Sequence, residues 1–429
     1  MREMKDSGIE WVGIIPKSWN ISRLKYIAKF FNGDRGKNYP SGEDLVDDGI
    51  AFLTSNNIHG IVLDCSQEKS KFITEERYNR LGGAKIQLND IAFCLRGSVG
   101  NCAINKTLTK GTVASSLMII RPIKASPDFI NYVLQTDVCD VQTIKAMNGS
   151  CAANLSAENV SNYYFVEPPI VEQKKITIFL DSKCSEIDAI SADIQKEIKT
   201  LEQYKRSVIT EAVTKGLNPD VEMKDSGIEW VGNIPVHWDV RPLYYYFAER
   251  KKKNYLGQEQ NLLSLSYGKV IRKDINTSEG LLPDSFNGYN IIEPGDIVLR
   301  LTDLQNDKRS LRTGLVKEHG IITSAYVTLK AAKEVVPEYF HYLLYAYDVM
   351  KVLYNMGNGV RQGLNYCELS KMHIVAPPLD EQKNIAARLD CVCKGIESII
   401  ASKKQQLAII DSYKKSLIYE YVTGKKEVV

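Results

Sequence analysis

Two long stretches of the chain carry apolar residues at helical spacing. In both, these residues recur at steps of three and four, which predicts an α-helix with one apolar face. The first stripe consists of Leu180, Cys184, Ile187, Ile190, Ile194, Ile198, Leu201, Tyr204, Val208 and Ala212. The second consists of Leu389, Cys393, Ile396, Ile400, Leu407, Ile410, Tyr413, Leu417 and Tyr421, with Lys403 in the place of Ile194.

The ends of both predicted helices carry the expected signals. Each helix follows a proline pair, has an acidic first turn and ends at a glycine, Gly216 or Gly424. At ~1.5 Å per residue, the first helix would be roughly 65 Å long. Its basic and acidic residues are equal in number, which favours a spacer over a phosphate-binding surface.

The regions between the helices have a different pattern. Short runs of β-branched and aromatic residues, bounded by Gly, Asn and Asp, predict strands at 91–95, 117–120, 297–301 and 326–329. One helical segment is predicted in each region, at 129–135 and 339–345. We interpret each region as a compact α+β domain.

The chain repeats itself. "MKDSGIEWVGIIPKSW" at 4–19 returns as "MKDSGIEWVGNIPVHW" at 223–238, and "PPIVEQK" at 168–174 returns as "PPLDEQK" at 377–383. We call the repeated segments 4–19 and 223–238 the boxes. The order along the chain is therefore a box, a variable region and a helix, followed by a second box, variable region and helix. Such self-similarity is the signature of a repeated structural unit.

The repeat predicts a layout of two globular domains, 1–165 and 217–374, and two helical spacers, 166–216 and 375–429. The first helix leads to the second box, and by symmetry the second helix ends beside the first box. The two helices must then run antiparallel as a coiled coil. The predicted fold is α+β, with two domains related by a pseudo-twofold axis and separated by the helices.

Composition narrows the class of protein. With 429 residues, 44% hydrophobic and 25% charged, the chain is typical of a protein with two or three globular domains. No apolar run approaches the ~18 residues of a membrane span, and the first residues lack the apolar core of a signal peptide. We expect a cytoplasmic protein that does not enter a membrane.

No metal or cofactor site is predicted for this chain. The nine cysteines are scattered, and the five histidines form none of the usual zinc motifs. "NGDRGKN" at 32–38 lacks P-loop spacing, "RGSVG" at 96–100 is not a nucleophile elbow, and "EPPI" and "APPL" lack the end residues of an adenine methyltransferase loop. We therefore expect no catalytic residues.

A rigid spacer with two unlike heads suits a ligand with two separated, unlike sites. DNA is such a ligand, because twofold proteins read half-sites about one turn (~34 Å) apart. The net charge of +3 permits DNA binding without requiring it.

The twin boxes, the twin "PP-[IL]-x-EQK" helix starts and the repeated order resemble the specificity subunits of type I restriction-modification systems, over essentially the whole chain. The resemblance implies that each domain is a target recognition domain that reads one half of a split double-stranded DNA target, and that the helices set the unread gap. It also implies two methylation subunits, which carry S-adenosylmethionine and dock around the helices, and motor-nuclease (restriction) subunits.

Three alternatives remain open at the level of sequence. The chain could serve a fused methyltransferase-nuclease in place of separate subunits. It could be a two-headed coiled-coil adaptor that binds proteins without DNA specificity. An autonomous methyltransferase is disfavoured because the cofactor and catalytic loops are absent from the sequence.

Candidate DNA contacts lie in polar loops of both domains, where Arg and Lys suit guanine and Asn suits adenine in the major groove. In the first domain they are Arg35, Lys37, Asn38, Tyr39, Asn56, Asn57, Arg96 and Ser98. In the second they are Lys251, Lys252, Tyr267, Arg272, Arg300, Thr302, Arg361 and Gln362. The lysines belong to the basic run 250–255, which would contact phosphates more readily than bases.

All four tryptophans lie in the boxes, at Trp11, Trp19, Trp230 and Trp238. We interpret them as buried anchors that join each domain to a helix end. A surface for docking partner subunits is the alternative.

Overall fold

The computed structural model describes residues 2–147, 155–275, 283, 285–304, 311–356 and 363–428. The chain divides into two compact units. Unit 1 contains Met1–Ile194 and Gln405–Val429, and unit 2 contains Gln195–Lys404. Each unit therefore holds one globular domain, the first part of the helix that follows it, and the last part of the other helix.

Unit 1 consists mainly of short strands, with a few short helices and the first part of a long one, as the sequence predicts for an α+β domain. The strands are β1 (Met4–Asp6), β2 (Ile14–Pro16), β3 (Asn20–Arg23), β4 (Ala28–Asn32), β5 (Leu45–Val46), β6 (Ile50–Leu53), β7 (Lys71–Ile73), β8 (Ile91–Cys94), β9 (Cys102–Ile104), β10 (Gly111–Val113), β11 (Leu117–Pro122) and β12 (Tyr164–Glu167). The helices are α1 (Glu75–Arg80), α2 (Pro127–Leu134), α3 (Asp137–Ala146), α4 (Ala157–Ser161) and α5 (Ile170–Lys215), which continues into unit 2.

Unit 2 repeats much of this order. Its strands are β13 (Met223–Asp225), β14 (Asn233–Pro235), β15 (Asp239–Pro242), β16 (Phe247–Glu249), β17 (Leu263–Ser266), β18 (Lys269–Arg272), β19 (Asn290–Ile292), β20 (Ile297–Leu299), β21 (Thr313–Leu315), β22 (Gly320–Ile322), β23 (Val327–Ala331) and β24 (His373–Ala376). Its helices are α6 (Pro337–Val349), α7 (Tyr366–Leu369) and α8 (Leu379–Val422), which continues into unit 1.

Both domains are built on the same four-stranded antiparallel sheet. Its strand order is β4-β11-β8-β9 in the first domain and β16-β23-β20-β21 in the second. A two-stranded sheet beside each helix start is also shared, as β12-β3 and β15-β24. The strands of the two boxes also pair alike, as β1-β2 and β13-β14. The other strands differ: the first domain adds the sheet β10-β6-β7-β5, while the second adds the hairpin β17-β18 and the pair β19-β22. The common scaffold therefore carries different additions.

The two long helices pack antiparallel within each unit. In unit 1, Lys414 contacts Asp188 at 2.7 Å, and the rings of Phe179 and Tyr421 lie 4.5 Å apart. In unit 2, Lys205 pairs with Glu397. As the residue number rises on one helix it falls on the other, which confirms the predicted antiparallel direction.

Several residues of the predicted apolar stripe differ from expectation. Ile190, Tyr204 and Tyr413 are exposed instead of facing the other helix. Lys403, the charged exception in the second stripe, pairs with Glu197 across the helices of unit 2. The spacing of three and four identifies the helix correctly, but a stripe this wide includes residues on its flank that point to solvent.

The box and the helix start of each domain are joined by a tryptophan. Trp19 is fully buried, and its indole Nε1 donates a hydrogen bond to Glu172 at 2.8 Å. In unit 2, the buried Trp238 donates to Glu381 at 3.2 Å. Trp19 and Trp238 are therefore the expected buried anchors, whereas Trp230 is 38% exposed, so the expectation of a buried anchor is wrong for that residue.

The glutamine that follows each of these glutamates holds the domain to the same helix start. Gln173 donates to the carbonyl oxygen of Pro168 at 2.8 Å and accepts from the backbone N–H of Ser126 at 2.8 Å. Gln382 makes the same pair of bonds in unit 2, at 2.9 and 3.0 Å. Since Ser126 immediately precedes α2, one buried side chain fixes both helices.

At each junction between a box and a helix start, the C-terminal end of the other long helix packs against the box. Gly424, with φ +71°, lies so close to Pro16 and Trp19 that an added Cβ would stand 2.4 Å from the Cδ of Pro16. Gly216, with φ +79°, lies against Trp238. Each junction therefore needs a glycine both for the left-handed turn at a helix end and for space.

No helix in the described part of the chain is long and apolar enough to span a membrane. Among the same residues, no cluster of three or more His, Cys, Asp or Glu side chains is arranged to hold a metal ion.

We expect alanine to lower the free energy of unfolding by different amounts at Gly8 and Gly424, although the two glycines have nearly the same φ angle. Gly8→Ala, at φ +72° in open space, should cost about 1–2 kcal/mol because of the left-handed conformation alone. Gly424→Ala should cost about 1–3 kcal/mol more, because its Cβ overlaps Pro16. Urea unfolding of both variants measures the difference. Equal losses would show that the helix end does not press on the box.

Candidate nucleic-acid interface

Three loops that carry predicted DNA contacts in the first domain meet around one tight turn, residues 114–117, between β10 and β11. The loops follow β4, β6 and β8. Their backbones are tied to the turn by three hydrogen bonds: Gly33 N to Leu117 O (3.1 Å), Ala114 N to Leu53 O (2.8 Å) and Leu95 N to Ser116 O (2.8 Å). Residues 33–41, 54–57 and 95–101 therefore begin at a common point on the domain.

The loop after β4 is shaped by Asp34. Its carboxylate accepts from the backbone N–H of Gly36 at 2.8 Å and of Gly82 at 2.9 Å. The bond from Gly36 is the main cause that lowers the pKa of Asp34. Because these amides occupy the carboxylate, the loop can present Arg35 and Lys37, both exposed, without an acidic side chain directed outward.

The next two residues of this loop are less free. Asn38 is half-buried and donates to the carbonyl oxygen of Arg80 at 3.1 Å. Tyr39 packs edge-on against Phe52, with ring centroids 5.6 Å apart, and keeps one side in solvent. Tyr39 can therefore offer an aromatic face from a fixed position.

Asn56 and Asn57 have opposite environments. Asn56 is exposed, as a base-reading side chain must be. Asn57 is fully buried; its amide donates to Asp64 O and Ser70 Oγ, and its oxygen accepts from Thr54 N. Asn57 holds the loop in shape, and we remove it from the candidate DNA contacts. Its position in a capping box just after β6 was the available sequence signal.

The loop between β8 and β9 presents Arg96 and Ser98, both exposed. It is closed by Gly100 N donating to Cys94 O at 3.1 Å and by Asn101 N donating to Ser98 O at 3.1 Å. A turn closed by its own backbone leaves both side chains available to a ligand.

The second domain has the equivalent edge. The turn 323–326 enters β23 where the neighbouring strands β16 and β20 end, and Tyr326 N donates to Thr323 O at 3.2 Å. The loops after β16 and β20 therefore leave the sheet at the same edge as their counterparts in the first domain. These loops carry Lys251, Lys252, Arg300 and Thr302.

Arg312 organises the loop after β20, and sequence reasoning missed it. It is fully buried, and its guanidinium donates to the carbonyl oxygens of Arg300 (3.1 Å), Thr302 (2.8 Å) and Asp303 (3.2 Å). Residues 300–303 thus fold around a fixed cation, with Thr302 exposed and Arg300 half-buried. No motif in the sequence distinguishes Arg312 from a surface arginine.

The basic run after β16 divides into a structural and an exposed part. Arg250 forms a two-pronged ion pair with the buried Asp296, at 2.5 and 3.0 Å. Lys251 is exposed and contacts Glu249 at 2.8 Å, and Lys252 is exposed. The two lysines can reach a phosphate, whereas Arg250 fixes the strand end.

The hairpin β17-β18 presents Tyr267 at its tip. The side chain is 86% exposed, and its φ of +46° is unusual for a residue other than glycine. A bulky aromatic residue in this conformation costs free energy, and such positions concentrate at binding sites. Arg272, at the other end of β18, is exposed but forms an ion pair with Glu318.

A histidine links three segments beside this hairpin. His319 contacts Glu293 at 2.8 Å and Glu259 at 2.7 Å, and it adjoins Glu318, the partner of Arg272. The hydrogen bond with Glu293 is the main cause that raises the pKa of His319. The same bond lowers the pKa of Glu293.

Arg361 and Gln362 lie outside the described residues, and their role stays a prediction. Of the other candidates, the structure gathers Arg35, Lys37, Asn38, Tyr39, Asn56, Arg96 and Ser98 on loops rooted at one edge of the first domain. Lys251, Lys252, Arg300 and Thr302 lie on loops at the matching edge of the second. Tyr267 and Arg272 belong to a separate hairpin.

The chain is similar in sequence to a known protein family and to individual proteins. Residues 16–200 and 295–408 match the family model described as "Type I restriction modification DNA specificity domain". The MjaX specificity subunit of Methanocaldococcus jannaschii is 24% identical, over 97% of this chain and 96% of its own. The MjaVIII specificity subunit of the same organism is 23% identical, over 96% and 94%.

Proteins with lower sequence identity also match over nearly the whole chain. The EcoKI specificity subunit of Escherichia coli (strain K12) is 18% identical, over 96% of this chain and 90% of its own. A solved structure from work on complex assembly and conformational transition of the type I R-M system superposes with a TM-score of 0.68 at 14% identity, over 96% and 99% of the two chains. The likeness confirms the predicted α+β fold.

The His319 cluster predicts a pH-dependent stability. The raised pKa means that the bridge contributes fully below the unfolded histidine pKa of about 6.5 and is lost as pH rises through the higher folded value. His319→Gln should therefore be less stable than the parent protein at pH 6 and nearly equal at pH 9. Thermal unfolding of both proteins across this range is the measurement. A difference that grew with pH would contradict the assignment.

Proposed function

Because the chain belongs to the family of type I restriction-modification DNA specificity domains, we propose that each of its two domains reads one half of a split DNA target. One observation supports this proposal. In both domains, polar loops leave the same edge of the same four-stranded sheet, but the side chains that they present there differ. A shared scaffold with different readers suits two unlike half-sites.

The exposed residues have different roles in DNA recognition. Arg35, Lys37 and Arg96 can donate to base edges in the major groove, and the amide of Asn56 can both donate and accept. Lys251 and Lys252 contact phosphates, which adds affinity but no sequence preference. Tyr267 offers an aromatic face at the tip of the hairpin β17-β18.

The chain acts with partner subunits. Two methylation subunits dock around the long helices, carry S-adenosylmethionine and transfer its methyl group to adenine; motor-nuclease subunits join for restriction. This chain supplies the sequence recognition and performs no catalysis of its own, and the complex works in the cytoplasm. The naming of its relatives as specificity subunits supports this division of roles.

The first test is to co-express the chain with the methylation subunit of its system and to map methylated adenines by single-molecule sequencing. One bipartite motif with a fixed gap is the expected result. Exchanging residues 20–165 for another domain of the family should change one half of that motif only. Methylation that did not depend on this chain would overturn the proposal and favour the adaptor.

Single exposed side chains should act on one half of the motif. Arg96→Ala should relax or weaken one half by about 1–3 kcal/mol, the range for a lost bidentate base contact. Lys252→Ala should lower affinity for every sequence and reduce the salt dependence of binding. Titration of labelled DNA, with each half mutated in turn, separates the two effects. Arg96→Ala with an unchanged preference would remove Arg96 from the readers.

Helix length should set the gap. Four residues inserted after Lys199, and four more at the equivalent position after Ala408, add about 6 Å to the helices. At ~3.4 Å per base pair, this should lengthen the gap by one to two base pairs while both half-sites stay the same. Mapping of methylated adenines measures the gap. An unchanged gap would show that the helices do not determine the spacing.

A further inference from the structure

Unit 2 contains a cavity of about 610 Å³, bounded by the hairpin β17-β18, strand β21, helix α6 and the long helices. The hairpin is held over the cavity by Lys269, whose Nζ contacts the carboxylate of Glu397 on α8 at 3.0 Å. A volume of this size is within the usual range of ligand sites. The lining is mainly apolar and aromatic, and includes Ile209, Val270, Leu315, His341, Tyr342 and Tyr345.

One wall of the cavity is the outer edge of β21, the last strand of its sheet. Val316, just after β21, bonds toward the neighbouring strand: its N–H donates to Asp296 O at 2.8 Å, and its carbonyl oxygen accepts from Gly295 N at 2.9 Å. Successive residues of a strand direct their backbone groups to opposite edges, so the N–H and carbonyl of Leu315 point away from β20. In the described part of the chain, neither group has a backbone partner.

In the first domain, the chain itself covers the equivalent edge. Ile104 of β9 corresponds to Leu315 by the register of the two sheets. Its N–H donates to Ile61 O at 3.0 Å, and Leu63 N donates to Ile104 O at 2.9 Å, which makes a short parallel bridge. The amide of Asn131 on α2 donates to the same carbonyl oxygen of Ile61 at 2.9 Å. An extended segment of three residues, 61–63, therefore closes this edge.

The helix beside the edge has a matching position in both domains. His341 on α6 corresponds to Asn131 on α2, since the tyrosines that follow them, Tyr342 and Tyr132, each donate to an aspartate of a long helix, at 2.7 and 2.6 Å. His341 lines the cavity, and its Nε2 is buried without a hydrogen-bond partner among the described residues. Burial lowers the pKa of His341 to about 4. The neutral ring can therefore exchange a hydrogen bond with a peptide group.

We propose that the cavity binds an extended segment of a partner protein, which pairs in parallel with β21 and places a branched aliphatic side chain beneath the hairpin. The chemistry of the occupant is that of residues 61–63, Ile-Val-Leu, which cover the same edge in the first domain. Main-chain hydrogen bonds to an open strand supply affinity, and the cavity selects the side chain. This binding goes beyond the proposed function, because it requires neither DNA nor a methylation subunit.

The test is a titration of a fluorescein-labelled peptide, IHGIVLD (residues 58–64), with the full chain, followed by fluorescence anisotropy. Saturable binding of one peptide per chain is expected. N-methylation at the Leu63 position removes the N–H that would donate to Leu315 O, and should weaken binding about two- to tenfold. N-methylation at the Val62 position is the matched control, since that N–H takes no part in the bridge of the first domain. It should leave the affinity unchanged, and equal losses for both peptides would overturn strand addition.

Two variants of the chain locate the site. His341→Leu should weaken binding of the peptide about two- to tenfold, because one hydrogen bond is lost. His341→Asn, which introduces the side chain of the first domain, should preserve binding. A peptide with photo-leucine at the Ile61 position should label residues of the cavity such as Tyr345. Labelling of β9 in the first domain would instead show that the peptide replaces segment 61–63, and would overturn the site.

Absence of binding would also overturn the proposal, because it would mean that the chain itself or a second copy already covers the edge. Sedimentation of the chain alone separates these cases, since a second copy would appear as a dimer. None of these results depends on DNA. If the chain directs methylation of a bipartite motif, the proposed function stands even when the peptide does not bind.

Discussion

The contact on which the rest of the structure depends is the bond between a buried tryptophan and a helix-start glutamate. Trp19 with Glu172, and Trp238 with Glu381, tie each box to its helix. The glycine that ends the other helix packs against the same tryptophan, as Gly424 does against Trp19. One side chain thus joins three parts of the chain that are far apart in sequence. The near-identity of the two boxes follows, because none of these parts can change alone.

This constraint separates the scaffold from the reading surface. The polar loops have a different environment: in the first domain, backbone hydrogen bonds tie them to the turn at 114–117, and exposed side chains such as Arg35, Asn56 and Arg96 reach solvent. A backbone framework tolerates changes of side chain, whereas the packed junction does not. The arrangement explains how one chain keeps two nearly equal scaffolds and two unlike surfaces.

Sequence reasoning could predict the repeat, the long helices and the anchoring by Trp19 and Trp238, since identity at a fixed offset and helical spacing are local signals. It could not decide which stripe residues face inward, because Tyr204 and Tyr413 are apolar enough to fit either side. It also grouped the buried Asn57 with the exposed Asn56, since adjacent residues of one type differ only in what surrounds them. Arg312 gave no signal, because the carbonyl groups that it binds belong to backbone whose path the sequence does not reveal.

The same physical distinction bears on how such a chain can acquire a new target. Arg312 holds the backbone of residues 300–303, directly after β20, through carbonyl oxygens, so these bonds do not depend on which side chains stand there. Asp34 does the equivalent through backbone N–H groups in the first domain. In both loops the polar group that sets the shape binds main chain and not the exposed side chains, such as Arg35 and Thr302. Exposed side chains in these segments can therefore be exchanged without loss of those main-chain bonds, which allows the two halves of a target to change independently.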